Sequence, residues 1–185
     1  MRTILALLLC GTALFAADPP RRAPGFALID GKMKLHDLYD YRGKTVIVEF
    51  MQTTCPHCAA FTDVLKKAQQ KYGDKLAILA IALPPDNGNT VAQYIAGHKV
   101  TYPVLIDMGQ VAYSYVMKPS LDFPHIVIVD PKGMIYNSFS YGPMTRDVFE
   151  GNGLFSELDK VMAGSGAAAP APKAQTAVPK GVTKK

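Results

Sequence analysis

Apolar residues form two unbroken runs in the N-terminal half of the chain and recur at helical spacing between them. Residues 45–50 are apolar on both alternating faces except at Glu49, which is typical of a strand buried in the middle of a sheet. Residues 75–83 form a second run of this kind. From 61 to 72, apolar positions repeat every three or four residues and polar residues fill the opposite face. This spacing predicts a helix that ends at Gly73.

The rest of the pattern continues the alternation of strands and helices. A hairpin is predicted over residues 26–35, where Asp30-Gly31 supplies the turn. Further elements are predicted in chain order: a helix capped by Asn89 or Thr90 and ending near Gly97, a strand over 102–107, a short helix over 109–117, antiparallel strands over 125–130 and 134–141, and a helix over about 145–162. On the short helix, packing is the expected role of Tyr113, Tyr115 and Met117. This order predicts an α/β fold with a central mixed β-sheet, helices on both faces and a short N-terminal hairpin.

The N-terminus has the pattern of a secretory signal. Arg2 is followed by an apolar run over 4–17 that is too short to span a bilayer and ends in small residues. We therefore predict a cleaved signal peptide over 1–17 and a periplasmic or otherwise exported protein. The alternative is an uncleaved signal that tethers the protein to a membrane. Cleavage would leave Cys55 and Cys58 as the two cysteines of a protein in an oxidising compartment.

The C-terminal segment differs from the middle of the chain in composition and charge. Residues 164–185 lack aromatic residues, Leu, Ile and acidic residues, so we predict a disordered tail and a single domain over 18–163. The chain carries 20 Lys and Arg against 15 Asp and Glu, and five of the basic residues lie in the signal peptide and the tail. The predicted domain is therefore neutral. This balance gives no support for nucleic-acid binding, and the basic tail is expected to make at most weak contact with membrane surfaces.

The candidate chemistry lies in the stretch TTCPHCAA, where the first buried strand gives way to the first helix. Pro56 suits the first helical position, because the missing N–H has no intrahelical partner there. Cys55 then lies at the helix N-terminus, where free N–H groups and the positive end of the helix dipole stabilise a thiolate. Cys58 follows one turn later. The spacing thus predicts an attacking sulfur and a resolving sulfur behind it.

Two other uses of the cysteine pair remain as alternatives. A metal site usually needs four ligands, and this pair supplies two, so a third would have to come from elsewhere, with His125 as the best candidate. A carrier of a soft ion such as Cu(I) is therefore the competing function. A purely structural disulfide is less favoured, because closing so small a loop removes little entropy from the unfolded chain.

The sequence resembles a known family. The stretch VIVEFMQTTCPHC is similar to the strand, loop and active site of the thioredoxin superfamily, and the lead-in APGFALIDGKMKLHDLYDYRGKTVIVEF resembles the exported TlpA/ResA-type, or redoxin-like, branch. The resemblance covers about residues 24–163. It implies a thioredoxin-like fold and a thiol–disulfide oxidoreductase without a cofactor. It further implies Cys55 as the nucleophile, Cys58 as the resolving cysteine and Pro124 as a cis-proline that faces them.

The active-site motif departs from that branch. Thr54 stands where the branch usually has Trp, and Pro56 follows the first cysteine instead of preceding the second. Cys-Pro-His-Cys matches the oxidising DsbA group, whose long helical insertion is absent from the sequence. The scaffold thus suggests a reductase and the dipeptide an oxidase, which leaves the direction of exchange open. Peroxiredoxins need Thr where this chain has Gln52, so thiol peroxidase chemistry is a disfavoured alternative.

Three further residues are candidates for supporting roles. Glu49 lies six residues before Cys55, where the family holds a buried acid that could take the proton from Cys58 during resolution; the alternative is an acid at a strand end that reaches solvent. His57 is either a stabiliser of the Cys55 thiolate or a solvent-facing helix residue. A cis-proline at 124 would expose the backbone of Phe123 to an extended substrate segment.

Together these features predict an exported thiol–disulfide oxidoreductase that acts on protein dithiols and disulfides and works with an unidentified membrane or periplasmic redox partner. The helix N-terminus and His57 both favour the Cys55 thiolate and hence the reduced form. We therefore predict a reduction potential between that of thioredoxin, about −270 mV, and that of DsbA, about −120 mV.

Overall fold

The computed structural model describes residues 21–117 and 121–164. The predicted signal peptide and all of the predicted tail except Gly164 lie outside these ranges. Within the described ranges, no helix combines the length and the hydropathy that crossing a bilayer would require.

A five-stranded mixed sheet forms the centre of the domain, in the strand order β5-β4-β3-β6-β7. Strands β3, β4 and β5 run parallel, whereas β6 is antiparallel to β3 and β7 is antiparallel to β6. Every residue of β3 and β4 is buried, as the two unbroken apolar runs predict. The strands have these bounds: β3 Thr45–Met51, β4 Leu76–Ala82, β5 Val104–Ile106, β6 His125–Val129 and β7 Ile135–Ser140.

The predicted N-terminal hairpin is present beside the sheet. Its strands β1 (Ala27–Ile29) and β2 (Leu35–Asp37) pair antiparallel, and a 3-10 helix follows over Leu38–Tyr41. Asp30 makes an isolated antiparallel bridge to Leu105 of β5. The hairpin therefore lies next to the strand at one edge of the sheet.

Helices cover both faces of the sheet, which confirms the predicted α/β architecture. Residues of α1, α2, α4 and α5 pack in one core cluster, and residues of α3 pack with the N-terminal segment in the other. The helices have these bounds: α1 Pro56–Tyr72, α2 Gly88–His98, α3 Gln110–Val116, α4 Arg146–Glu150 and α5 Asn152–Gly164. Gly73 ends α1 with a positive φ of 52°, as the sequence predicts.

Three local predictions are wrong. The N-cap of α2 is Asn87, not Asn89 or Thr90: its side chain accepts hydrogen bonds from both of those backbone N–H groups, and the Thr90 hydroxyl accepts one from the backbone of Asn87.

The single helix predicted over about 145–162 is divided into α4 and α5 at Gly151, whose φ of 110° interrupts helical backbone.

The third error concerns α3. Tyr115 is buried as expected, but Tyr113 and Met117 are 62% and 69% exposed. Tyr113 lies on the exposed side of α3, whereas Met117 follows the helix as its C-cap residue, with a positive φ of 54°. The prediction that all three serve packing therefore holds for Tyr115 alone.

Candidate active site

Cys55 lies in the loop that joins the end of β3 to the start of α1, and it is the N-cap residue of that helix. Its Sγ accepts a hydrogen bond from the backbone N–H of Cys58 at 3.3 Å. Pro56 occupies the first helical position, where its missing N–H has no intrahelical partner. Both cysteines are free thiols, and Cys55 is half-buried. The sequence therefore builds a partly accessible sulfur at the positive end of a 17-residue helix.

Cys58 lies one turn further along α1 and is fully buried. Burial raises the pKa of its thiol, and the neighbouring charge of Glu49 raises it further. The thiol of Cys58 is therefore held protonated. Some group must take its proton before this sulfur can act as a nucleophile.

Glu49 is close enough for its charge to act on Cys58, and it is 1% exposed. It occupies the centre of the sheet, opposite Ala80 of β4 and Ile126 of β6, so neither side of its strand offers a path to water. Burial raises the pKa of its carboxyl group to about 8. The alternative of an acid that reaches solvent at a strand end is therefore wrong.

Further polar groups lie in the same buried layer. The Thr62 hydroxyl bonds to the Tyr94 hydroxyl at 2.7 Å and donates to the carbonyl oxygen of Cys58 at 3.2 Å. Burial raises the pKa of the phenols of Tyr94 and Tyr102, and the charge of Glu49 adds to both shifts. We call this set the floor of the site: Cys58, Glu49, Thr62, Tyr94 and Tyr102. The sequence gives no sign of the last three, because each reads there as an ordinary core or helix position.

The segment before β6 carries Pro124, which the family resemblance implies to be a cis-proline. The bond between Phe123 and Pro124 is cis, and the Cys55 thiol approaches the carbonyl oxygen of Phe123 at 3.8 Å. Pro124 precedes β6, whose first residue pairs with the end of β3. The fold thus brings Cys55 and the Phe123–Pro124 loop together from distant parts of the sequence.

His57 is exposed in the first turn of α1, and its ring stacks on that of Tyr141. The ring centroids are 4.0 Å apart and the planes differ by 20°. Tyr141 follows β7, and its backbone N–H donates to the carbonyl oxygen of Pro124 at 3.0 Å. We call this set the rim of the site: Cys55, His57, Phe123, Pro124 and Tyr141. The sequence does not indicate Tyr141, which reads as the last residue of a predicted strand.

The loop before Cys55 is anchored by a residue that sequence reasoning also missed. Asp86 accepts hydrogen bonds from the backbone N–H of Thr53 at 2.7 Å, from the Thr53 hydroxyl and from the Thr90 hydroxyl. The Gln52 amide donates to the carbonyl oxygen of Pro84 at 2.7 Å. Gln52, at the position where peroxiredoxins need Thr, thus serves to join this loop to the segment after β4.

His125, the third ligand considered for a metal carrier, does not join the cysteines. It pairs with Phe50, whose side chain packs on the sheet face opposite that of Cys58. Its ring nitrogens lie 2.7 Å from the Ser140 hydroxyl and 3.0 Å from the Ser138 hydroxyl. Among the described residues, no group of three or more His, Cys, Asp or Glu side chains is arranged to hold a metal ion.

Residues 19–138, more than half of the chain, match the AhpC/TSA family. A thiol-disulfide oxidoreductase ResA of Bacillus cereus is 28% identical over 163 residues, which cover 81% of this chain and 91% of ResA. The thioredoxin-like protein YneN of Bacillus subtilis is 29% identical over 132 residues, or 70% of this chain and 75% of YneN. The thioredoxin domain of a thiol-disulfide oxidoreductase from Bacteroides vulgatus matches with a TM-score of 0.61 and 25% identity, over 74% of this chain and 94% of that domain.

These similarities confirm the thioredoxin-like fold and the resemblance to the TlpA/ResA-type branch. They do not favour the metal-carrier or the peroxidase alternative, because the relatives are named as thioredoxin-like proteins and disulfide oxidoreductases.

Proposed function

We propose that this chain, which belongs to the AhpC/TSA family and is a thioredoxin-like thiol–disulfide oxidoreductase, exchanges disulfides with protein substrates outside the cytoplasm through Cys55 and Cys58. The observation that carries the proposal is the unequal exposure of the two sulfur atoms at the end of one helix: Cys55 is half-buried and Cys58 is buried. Exchange needs this arrangement, because the first sulfur must reach a substrate and the second must reach only the first.

In the reducing direction, the Cys55 thiolate attacks one sulfur of a substrate disulfide. A bond forms between Cys55 and that sulfur, the substrate disulfide breaks, and the other substrate sulfur leaves as a thiolate. Cys58 then loses its proton and attacks Sγ of Cys55. This step releases the first substrate sulfur and leaves a Cys55–Cys58 disulfide, so that two electrons have passed to the substrate. Oxidation of a substrate dithiol is the same sequence in reverse.

Glu49 acts as the base in the second step. The pKa of the Glu49 carboxyl group, about 8, is close to neutral pH, so the group can both take and return a proton there. Its charge raises the pKa of the Cys58 thiol, which is the electrostatic coupling expected of two groups that share one proton. The proton therefore moves from Cys58 to Glu49 as the sulfur attacks, without an intermediate that holds two buried negative charges.

Substrate polypeptide binds along the backbone at Phe123 and Pro124. The carbonyl oxygen of Phe123 already lies next to Cys55, and an extended segment that pairs with this backbone would bring its own cysteine to the same sulfur. Pairing through the backbone depends little on the side chains of the substrate, which suits an enzyme that acts on several proteins. A membrane or periplasmic redox partner would use the same surface to reset the cysteine pair.

Export is supported by the N-terminal pattern of Arg2 followed by the apolar run 4–17. A protein that carries this signal meets its substrates in an oxidising compartment, where structural disulfides form. The basic tail adds at most weak attraction to the membrane surface.

Catalysis of insulin reduction and of RNase refolding, both in the presence of a chelator, tests the proposal. An oxidoreductase accelerates at least one of these reactions at catalytic concentration, and the Cys55→Ser/Cys58→Ser variant does not. A protein that stays inactive in both assays but binds Cu(I) through the cysteines would be a carrier, and the proposal would be wrong.

A further inference from the structure

Tyr141 is held in place independently of the cysteines. Its backbone N–H donates to the carbonyl oxygen of Pro124 at 3.0 Å. Its ring packs edge-on against Phe149 of α4, with centroids 5.5 Å apart, and Phe149 in turn packs against Phe61 of α1 at 5.0 Å. The Tyr141 ring is therefore a fixed surface between the cis-proline loop and the helix that carries both cysteines.

The imidazole of His57 lies flat on this surface. The centroid distance of 4.0 Å and the angle of 20° describe a stacked pair, in which the ring of an exposed histidine loses the freedom that it would have in water. The stack therefore holds the imidazole in the first turn of α1, two residues from Cys55.

We propose that Tyr141 is a positioning residue that fixes His57 at the rim of the site and thereby makes the Cys55–Cys58 disulfide a stronger oxidant. The inference rests on the proposed function of the cysteine pair. A fixed imidazole stabilises the Cys55 thiolate and hence the reduced protein, whereas a freely rotating imidazole is solvated and acts less.

The equilibrium between the protein and glutathione tests this assignment. One glutathione disulfide oxidises the Cys55–Cys58 dithiol and yields two molecules of reduced glutathione, so the equilibrium constant reports how readily the protein disulfide forms. In Tyr141→Leu, the apolar contact with Phe149 remains but the stacking surface for His57 is lost. We expect the constant to rise about threefold to tenfold, equivalent to a potential lower by about 14 to 30 mV. Tyr141→Phe should restore the wild-type value within a factor of two.

Two controls separate positioning from a general effect of the substitution. Tyr136→Leu changes a tyrosine of β7 that is 42% exposed, and it should leave the constant unchanged. In a His57→Ala background, Tyr141→Leu should have no further effect, because the group that it positions is absent. An unchanged constant in Tyr141→Leu, or an equal change with and without His57, would overturn the proposal.

The same samples distinguish this result from a failure of the proposed function. The glutathione equilibrium needs only glutathione as the reaction partner of the cysteine pair, whereas insulin reduction and RNase refolding require exchange with a protein. A wild-type protein that equilibrates with glutathione but catalyses neither reaction contradicts the proposed function and leaves the role of Tyr141 measurable.

Discussion

The two cysteines of the site belong to the same end of α1, but the rim and the floor give their sulfur atoms opposite surroundings. At the rim, Cys55 accepts a hydrogen bond from the first turn of α1, approaches the carbonyl oxygen of Phe123, and lies two residues from the exposed ring of His57. At the floor, Cys58 is fully buried close to Glu49, which is itself 1% exposed. Cys55 is thus partly open to solvent, and Cys58 is closed to it.

We propose that this difference divides the two steps of exchange between the rim and the floor. Groups at the rim act on the stability of the Cys55 thiolate, so they set the potential and the attack on a substrate. Groups at the floor act on the proton of Cys58, so they set how fast the mixed disulfide is resolved. Substitutions at the rim should therefore change equilibria, and substitutions at the floor should change rates and stability.

The largest effect is expected from the sulfur atoms themselves. Cys55→Ser should abolish exchange, because no other thiol of the site is accessible. Cys58→Ser should leave the attack intact but block resolution, so that a mixed disulfide with substrate accumulates on Cys55. Non-reducing electrophoresis and mass spectrometry of the trapped species measure this. A cross-link found on Cys58 in Cys55→Ser instead would reverse the two roles and contradict the helix-terminus argument.

The next effect concerns the base at the floor. Glu49→Gln keeps the shape of the side chain but cannot take a proton, so resolution should slow by about tenfold to a hundredfold. In the wild type, the rate of resolution should show an inflection near pH 8, where the carboxyl group ionises, and this inflection should be absent from the variant. Single-turnover decay of the mixed disulfide with a model peptide measures both. An unchanged rate would remove Glu49 from the mechanism.

The same variant predicts a change in stability with a definite sign. The folded-state pKa of Glu49, about 8, is above its ordinary value of 4.5, so the folded protein binds more protons than the unfolded chain between these values. The free energy of unfolding contributed by Glu49 should therefore be lost as the pH rises from about 4.5 to about 8. Glu49→Gln should be more stable than the wild type at pH 9, by up to about 5 kcal/mol, and nearly equal to it at pH 4. Urea unfolding of the disulfide form, in which neither sulfur titrates, measures this difference.

Some features of the rim and the floor can be predicted from the sequence, and others cannot. The burial of β3 and the position of Cys55 at the start of α1 follow from local patterns: an apolar run, a proline at the first helical position and apolar spacing along one helix face. The burial of Glu49 follows from the same run, because a residue in the centre of a sheet has no path to solvent.

Contacts between segments that are far apart in the sequence produce no local pattern of this kind. Asp86 reads as a turn residue after two prolines, and nothing near it indicates that its carboxylate accepts hydrogen bonds from Thr53. Tyr141 meets His57 only because β6 and β7 follow β3 in the sheet and the end of β7 lies beside the start of α1. The division of the last predicted helix at Gly151 likewise depends on tertiary packing, since α4 and α5 both contact the same core.

A smaller effect is expected from charge at the rim. His57→Glu replaces the group that we propose stabilises the Cys55 thiolate by a carboxylate that would repel it, at the positive end of α1. The reduction potential should fall by tens of millivolts, on the order of tenfold in the glutathione equilibrium constant. Gln70→Glu introduces the same negative charge at an exposed position of the same helix, far from the cysteines, and serves as the control. A wild-type potential at or below about −270 mV would contradict the predicted balance and make the protein a reductase.

The smallest effect on exchange is expected from Thr62→Val, a nearly isosteric change at the floor. The substitution removes the hydroxyl that bonds to Tyr94 at 2.7 Å and to the carbonyl oxygen of Cys58 at 3.2 Å, and it leaves the Tyr94 hydroxyl without that partner. Unfolding should become easier by about 1 to 3 kcal/mol, because a buried polar group that loses its hydrogen bond is costly. The glutathione equilibrium should stay within a factor of two of the wild type, since Thr62 carries no charge and does not contact Cys55. A shift of the potential as large as that of His57→Glu would show that the floor sets the equilibrium as well, and the proposed division between rim and floor would fail.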